Sequence, residues 1–409
     1  MSNINLRLPL ELIAHIATLL DPYSFGSICV FSLVCRLWRT AVLLYPSCWA
    51  RIATARDDDV VARRLDLCIQ RSGAHPLDLQ LVGPVAAKWL TGVESTHQGS
   101  YYSRITFLNL SAWTKQLGED LQRLRPNFSS LRSLAVSNQF SSGRIPISSI
   151  IPLLTCSNDE KSPLQTLALT NVEFEQHATL TLPSLLTLEL QACTFVSGAS
   201  CLNVVARYAP TLVNLRLRGT LETLLASWSF DAQSLSEGEG TIQFPRLQTL
   251  MLQGNVFGQR GKKIDRAQFP RLSTLVCDDA ILNTLNIDFG RSLNHLVINC
   301  TSTSRSLLRY DQLLAKLSSL KTFSIQMSQS TKGFNSLLWT MIQQPELGKN
   351  LEEFVINGSM SAMSQTLVET LNRTRAGPVY QRNKDFVQQS SAAYGSLSDH
   401  RKVQSLLQH

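Results

Sequence analysis

The sequence predicts an α/β protein: a short helical head followed by a stack of parallel strands backed by helices. Three observations carry this. The opening segment from Leu8 to Ile52 alternates apolar and polar residues at helical spacing, in three runs. From Ile105 onward the pattern L-x-x-L-x-L recurs with substitutions. The segments between its copies hold apolar-periodic stretches of helical length, such as Leu202–Tyr208, Gln312–Leu317 and Leu337–Gln343.

In the head, Pro9 suits the first turn of a helix, where its missing N–H costs nothing. Leu12, Ile13, Ile16, Leu19 and Leu20 then recur at helical spacing. Asp21-Pro22 reads as an N-cap followed by Pro at the first helical position, which starts a second helix. Phe31, Val34, Leu37, Trp38 and Ala41 mark a third run, which stops at Tyr45-Pro46, with Trp49 just beyond. Three short helices cannot bury so much apolar surface among themselves, so part of it is expected to meet a partner. Val34 and Trp49 are balanced between that face and a small internal core.

The connector opens with Asp57-Asp58-Asp59 and continues through Val60, Val61, Arg63, Arg64, Leu65, Cys68 and Ile69 to Ser72-Gly73. Acidic residues first and basic residues later suit the helix dipole. Asp59 and Arg63, four apart, share a face. The expectation is a solvated amphipathic helix of fixed length over residues 53–73.

The six-residue pattern starts at Ile105, Leu131, Leu164, Leu185, Leu212, Leu247, Leu272, Leu293, Leu320 and Leu351, at intervals of 21 to 35 residues. A degenerate first copy starts at Ala74. Three copies share a lead-in: Leu182-Pro183-Ser184-Leu185, Phe244-Pro245-Arg246-Leu247 and Phe269-Pro270-Arg271-Leu272. This is the signature of leucine-rich repeats, over residues 74–375. Each unit exposes leucines that only its neighbours can cover, so the units stack. The fourth and sixth positions point inward, and the third, fifth and seventh point out of the concave face of a curved solenoid. Cys193 and Asn255 occupy the ninth position, where a side chain bonds the turn backbone. The seventh position is polar in every copy, from Ser111 to Asn357. The candidate target-binding residues are therefore Glu189, Gln191, Asn214, Arg216, Arg218, Met251, Gln253, Asp278 and His295. Arg216 and Arg218, on one side of one strand, favour an acidic or phosphorylated group. The competing reading is that polar residues only keep an exposed sheet soluble.

The head resembles the F-box. The match runs Leu8-Pro9, Glu11, an Ile/Leu helix, Ser32-Leu33-Val34-Cys35-Arg36, Trp38-Arg39, Pro46 and Trp49. The resemblance covers residues 8 to about 52 by motif, places an F-box at residues 1–52, and implies docking onto a Skp1-like adaptor and, through it, a cullin. By the same resemblance Leu8, Pro9, Ile13, Ile16, Leu20, Leu33, Val34 and Trp38 face the adaptor. Gly26, flanked by Ser24 and Ser27, departs from the leucine-rich second helix of the family and costs about 1 kcal/mol against Ala in a helix. The join Arg71-Ser72-Gly73 followed by Pro76-Leu77-Asp78-Leu79 is similar to that of fungal F-box proteins with C-terminal leucine-rich repeats. The family implies a substrate-recognition subunit of an SCF-type ubiquitin ligase. A non-catalytic repeat scaffold acting outside a ligase is the alternative.

Composition excludes other classes. Apolar content of 44% and charged content of 17% describe a folded chain. A net charge of +8, scattered over 409 residues, does not demand a nucleic-acid partner. Aromatics are not interleaved with the basic residues, either. No apolar run approaches the ~20 residues of a membrane helix, and MSNINLR followed by Glu11 and His15 does not read as a signal peptide. Nine cysteines include no C-x-x-C pair, so reduced thiols and a cytoplasmic or nuclear location are expected, without a metal. H-E-x-x-H, G-x-S-x-G and a Walker loop are absent; Gly258 to Lys263 is too closely spaced. No enzyme chemistry and no cofactor are expected. Arg260, Lys262, Lys263 and Arg266 form a basic loop. Residues 376–409 lose the periodicity and read as a polar cap and tail, with Val403, Leu406 and Leu407 marking a short helix.

Overall fold

The computed structural model describes residues 8–19, 25–54, 59–92, 101–111, 113–124, 127–138, 143–154, 162–175, 181–195, 201–220, 242–255, 267–282, 292–300, 314, 317–327, 332–344, 346, 350–358, 361–374 and 379–382. Leu20, the Asp21-Pro22 cap, the Asp59 side chain, the 260–266 basic loop, most of Gln312–Leu317 and the tail beyond Arg382 lie outside them. Two compact units result, Met1–Leu185 with Cys193–Gly198 and Leu186–Ala192 with Ala199–His409.

The first unit opens with helices α1 (Leu10–Leu19), α2 (Phe25–Leu33) and α3 (Arg36–Leu44), then a single 3-10 turn, Pro46–Trp49. The head has its own small core: Ile13, Ala14, Ala17, Ile28, Phe31, Ala41, Val42, Cys48 and Trp49 are buried. Three polar ties close it. Tyr45 Oη donates to Glu11 at 2.8 Å, Trp49 Nε1 to the Val42 carbonyl at 2.8 Å, and Cys48 Sγ to the Ala14 carbonyl at 3.7 Å. Trp49 thus belongs to the internal core. On its far side the Arg71 guanidinium sits 4.5 Å from the ring centroid, which ties the end of α4 (Asp59–Arg71) to the head.

Strands begin earlier than the repeat pattern suggests. β1 (Arg51–Ala53) already pairs in parallel with β2 (Leu77–Leu81), and Arg51 faces Asp78 at 3.7 Å. The sheet therefore starts inside the stretch assigned to the helical head. Three residues with one buried side chain, Ile52, are too few to display a period in the sequence. β2 is the degenerate copy, and its Leu77, Leu79 and Leu81 are fully buried. β3 (Ile105–Leu110), β4 (Ser133–Ser137) and, after the two-residue β5 (Ile145–Pro146), β6 (Thr166–Thr170) continue the parallel order. Helices α5 (Pro84–Gly92), α6 (Lys115–Leu124) and α7 (Ile151–Leu154) fill the crossovers, and α4 to α7 pack on one another in chain order. β5 pairs with β7 (Val172–Phe174) in a second small sheet.

The second unit carries β8 (Thr187–Gln191); the two-residue β9 (Thr194–Phe195) returns to the first unit, beside β7. Then follow β10 (Asn214–Thr220), β11 (Ile242–Gln243), β12 (Thr249–Asn255), β13 (Ala267–Gln268), β14 (Thr274–Asp278), β15 (His295–Cys300), β16 (Thr322–Met327), β17 (Glu353–Gly358) and β18 (Val379–Arg382). β8-β10-β12-β14-β15-β16-β17-β18 form one parallel run, while β11 and β13 pair separately. Helices α8 (Cys201–Ala206), α9 (Asp279–Leu282), α10 (Lys332–Gln343) and α11 (Ala362–Thr374) occupy crossovers, with α10 against α11. Helices at the head followed by parallel strands joined through helices make this an α/β protein.

The register explains the pattern. Leu215, Leu250, Leu275, Leu296, Phe323 and Phe354 align across six strands, as do Leu217, Leu252, Cys277, Ile298, Ile325 and Ile356 two residues on. All are 0–3% exposed. Burial of one such side chain stabilises by about 1.5–3 kcal/mol, and each is covered by the like residue on the next strand. The Phe lead-ins stack likewise: Phe244 on Phe269 at 5.1 Å. Cys193 Sγ donates to the Leu169 carbonyl at 3.4 Å, a ninth-position side chain bonding the backbone of the preceding repeat. At the eighth position the backbones of adjacent turns nearly touch. A Cβ on Gly254 would lie 1.9 Å from the Gly219 carbonyl oxygen, and one on Gly358 1.9 Å from that of Met327.

Candidate functional site

Two surfaces carry the candidate residues, one in each unit. On the head, α2 and α3 meet at a corner where Val34 and Cys35 leave the helix. Ser32 Oγ donates to the Cys29 carbonyl at 2.7 Å, and Arg39 Nε to the Ser32 carbonyl at 3.3 Å, which fix the corner. Its outward residues are apolar: Leu33 is 69% exposed and Val34 53%. Pro9 is exposed, while Leu8 and Ile16 are partly covered. Trp38 is partly covered by Phe31, ring centroids 4.2 Å apart, and its Nε1 is buried without a hydrogen-bond partner. Leu20 lies outside the described residues.

Ile13 corrects the expectation. It is fully buried in the head's own core, beside Ala14 and Ala17, and cannot present a side chain to another protein. A ten-residue helix packed on α3 must give one stripe to that contact, and Ile13 falls on it. Sequence reasoning missed five exposed apolar residues: Leu12, Leu19, Val30, Leu43 and Leu44, the last 62% exposed. The signal for Leu43-Leu44 was legible, since they extend the helical run past Ala41 and Val42, which turn inward.

The head's electrostatics are local. A hydrogen bond from its own backbone N–H and one from Tyr45 hold the Glu11 carboxyl below its ordinary range, and the Tyr45 phenol is pushed up in return. Burial raises Cys48 to about 11 and Cys68 to about 12, so neither thiol is nucleophilic near neutrality.

On the second unit, the outward positions of β8 to β17 form the other surface. Gln191 and His295 are exposed; Asn214, Arg218 and Gln253 are partly covered. The Arg pair is already engaged within the sheet. Arg216 Nη1 lies 3.7 Å from Glu189 Oε2, both side chains about 15% exposed, and Arg218 Nε donates to Gln253 Oε1 at 2.7 Å. Asn214 Nδ2 donates to Thr187 at 3.1 Å. Met251 and Asp278 require a correction as freely accessible contacts, being 3% and 6% exposed. Parallel register places the fifth-position Met251 between Arg216 and Val276, so the longer neighbour covers it. Asp278 lies under its own hydrogen bonds: the Gly254 N–H donates to Oδ2 at 2.7 Å and Asn299 Nδ2 to Oδ1 at 3.2 Å. Burial raises its pKa, opposed by those two donors.

Among the described residues no group of three or more His, Cys, Asp or Glu is arranged to hold a metal, and no helix is long and apolar enough to cross a membrane. A small helical head with its own core and a fringe of exposed leucines and valines defines a protein-docking module. Residues 5–48 match the F-box domain model, and this segment is an F-box domain. F-box domains bind Skp1-like adaptors of SCF-type ligases. No curated protein matches the chain.

Proposed function

We propose that this chain is the substrate-recruiting subunit of an SCF-type ubiquitin ligase. Its F-box docks a Skp1-like adaptor and thereby a cullin. The parallel sheet acts as a leucine-rich-repeat receptor, and its polar strand face holds a target protein. The observation that carries the reading is the exposed apolar corner Leu33-Val34, with Leu43-Leu44, inside the matched F-box segment. Large apolar side chains exposed on a small folded head favour burial against a partner. The polar seventh row supports a role in target contact, because it lies on the face opposite the leucine core.

The chain itself makes and breaks no bonds on this reading. It raises the effective concentration of a target lysine near a ubiquitin-loaded enzyme held by the cullin. The adaptor and cullin are intracellular, so the protein works in the cytoplasm or nucleus. Co-purification of the full chain with a recombinant Skp1-like adaptor and a cullin tests this. A ternary complex is expected. Adaptor binding without the cullin would reassign the protein to a scaffold outside a ligase, and no adaptor binding would overturn the docking role.

A further inference from the structure

The lead-ins of two adjacent repeats place two arginines side by side on the surface of the second unit. Phe244-Pro245-Arg246-Leu247 and Phe269-Pro270-Arg271-Leu272 make the same turn: the Leu247 N–H donates to the Phe244 carbonyl at 3.4 Å, and the Leu272 N–H to the Phe269 carbonyl at 3.2 Å. The two turns are held in register. β11 pairs with β13 just before them, Phe244 stacks on Phe269 at 5.1 Å, and Thr249 pairs with Thr274 just after. Arg246 and Arg271 are therefore rooted one strand spacing apart, ~4.8 Å. Both are exposed, while the Phe and Leu that end each turn are buried. The turn does not need the cation: Leu182-Pro183-Ser184-Leu185 closes the same way, from the Leu185 N–H to the Leu182 carbonyl at 3.2 Å, with Ser184 in its place. Among the described residues neither guanidinium is paired. At the same two edge positions from β12 to β17, the other charged residues described are Lys321 and Glu352, which pair with each other at 2.9 Å. Registered like charges repel, so the arginines stand as an unneutralised pair.

From this exposed and unpaired couple, we infer that Arg246 and Arg271 receive anionic side chains of a bound polypeptide. The inference rests on the reading of the repeat domain as a target receptor and supplies its chemistry. The charge on offer lies along this edge, whereas Arg216 and Arg218 on the strand face are engaged by Glu189 and Gln253. A guanidinium presents a planar fork that takes a carboxylate or a phosphate through two parallel hydrogen bonds. Two forks rooted ~4.8 Å apart match one phosphate dianion, or two carboxylates on alternate residues of an extended segment, which lie on one side about 6.6 Å apart. The aromatic side chains of both turns are buried, Phe244 at 0% and Phe269 at 1% exposed, so the edge offers no stacking platform for bases and suits a polypeptide.

The test uses the full chain and three fluorescein-labelled peptides: alternating Glu and Ser, and counterparts with phosphoserine or Lys in place of Glu. An oligothymidylate of similar length is the fourth probe. Binding is read by fluorescence anisotropy at about 0.15 M salt. An anionic peptide is expected to bind, and the Glu and phosphoserine arms tell the two sources of charge apart. Arg246→Gln or Arg271→Gln should weaken that binding about threefold, and both together about tenfold, as for exposed ion pairs. Arg246→Glu with Arg271→Glu should transfer the preference to the Lys peptide. Urea midpoints should stay at the wild-type value in these variants, because both side chains are exposed. Lys115→Gln, which removes a cation whose side chain is 91% exposed in the first unit, should leave binding unchanged. No binding of either anionic peptide overturns the inference. So does a loss in Lys115→Gln as large as in the arginine variants, which would mark general attraction to a chain of net charge +8. Tighter binding of the oligothymidylate, lost in the double variant, would assign the edge to nucleic acid and overturn it as well. The adaptor and cullin assay judges the wider reading independently.

Discussion

Replacing Leu33, Val34 and Leu44 together by Ala should separate adaptor docking from folding. They are 69%, 53% and 62% exposed, so the fold uses less than half of each side chain. Together they leave a little under two whole side chains in water. Full burial of a Leu or Val is worth about 2 kcal/mol, and truncation to Ala keeps the Cβ, so covering this surface supplies about 3 kcal/mol that the triple variant lacks. At 1.4 kcal/mol per decade the adaptor Kd should rise about a hundredfold. Unfolding free energy should move by no more than about 0.5 kcal/mol per site, as for surface changes elsewhere. Titration calorimetry with a recombinant Skp1-like adaptor gives the first quantity and urea unfolding the second. Ile13→Ala is the counter-variant: Ile13 is 0% exposed, so its cost of about 2–4 kcal/mol should appear in unfolding. The reasoning is refuted if the triple variant binds within about threefold of wild type, or if its lost affinity follows lost stability.

Other expectations follow from the same packing. Leu217→Ala should destabilise the second unit by about 2–5 kcal/mol in urea unfolding, because Leu217 is fully buried and flanked in register by Leu190 and Leu252. Gly254→Ala should cost more than the ~1 kcal/mol that separates Gly from Ala by propensity, and with the opposite sign, because the new methyl meets the Gly219 carbonyl oxygen 1.9 Å away; thermal unfolding reads it. Asp278 has a folded pKa above its unfolded value of about 3.9, so its contribution is fully present below that pH and is lost as pH rises through the folded pKa. Relative to Asp278→Asn, the wild type should therefore lose stability with rising pH across that interval, as followed by denaturant midpoints. Alkylation of the native protein at pH 8 should spare Cys48 and Cys68 and label both after denaturation, as mass spectrometry of the peptides will report.

The sheet was legible because its period is enforced by burial. Every fourth and sixth position from Leu108 to Ile356 is covered by its neighbours, so the sequence tolerates only apolar side chains there, and the pattern survives irregular spacing. β1 was not legible, since Arg51–Ala53 buries a single side chain and takes its place from its pairing with β2. On the head, the helical runs were readable but their orientation was not. Ile13 and Leu12 are adjacent, equally apolar and on opposite sides of the contact, 0% against 47% exposed. Only the packing of α1 on α3 decides which is core and which is surface. The same limit applied to Arg216 and Arg218. Their shared strand face followed from alternation, but their pairing with Glu189 and Gln253 is set by strands 27 and 35 residues away.

That last point determines how the polar face should be read. A row of side chains repeating at one strand spacing can satisfy itself laterally, each donor finding an acceptor on the next strand. Arg216 with Glu189, Arg218 with Gln253 and Asn299 with Asp278 do so. Lateral satisfaction removes a residue from the chemistry offered to a partner, however charged it is in the sequence. What stays unpaired on this face is buried: Arg216 Nε, whose guanidinium meets Glu189 only through Nη1, Asn299 Oδ1 and Asn357 Oδ1. The arginines of this face, prominent in the sequence, are tied to the neighbouring strands. Arg218→Gln should accordingly lower the unfolding midpoint of the second unit, as urea unfolding will report, because Arg218 Nε donates to Gln253 across the strands. An unchanged midpoint would show that this bond adds nothing to the fold and would free the arginine for a partner.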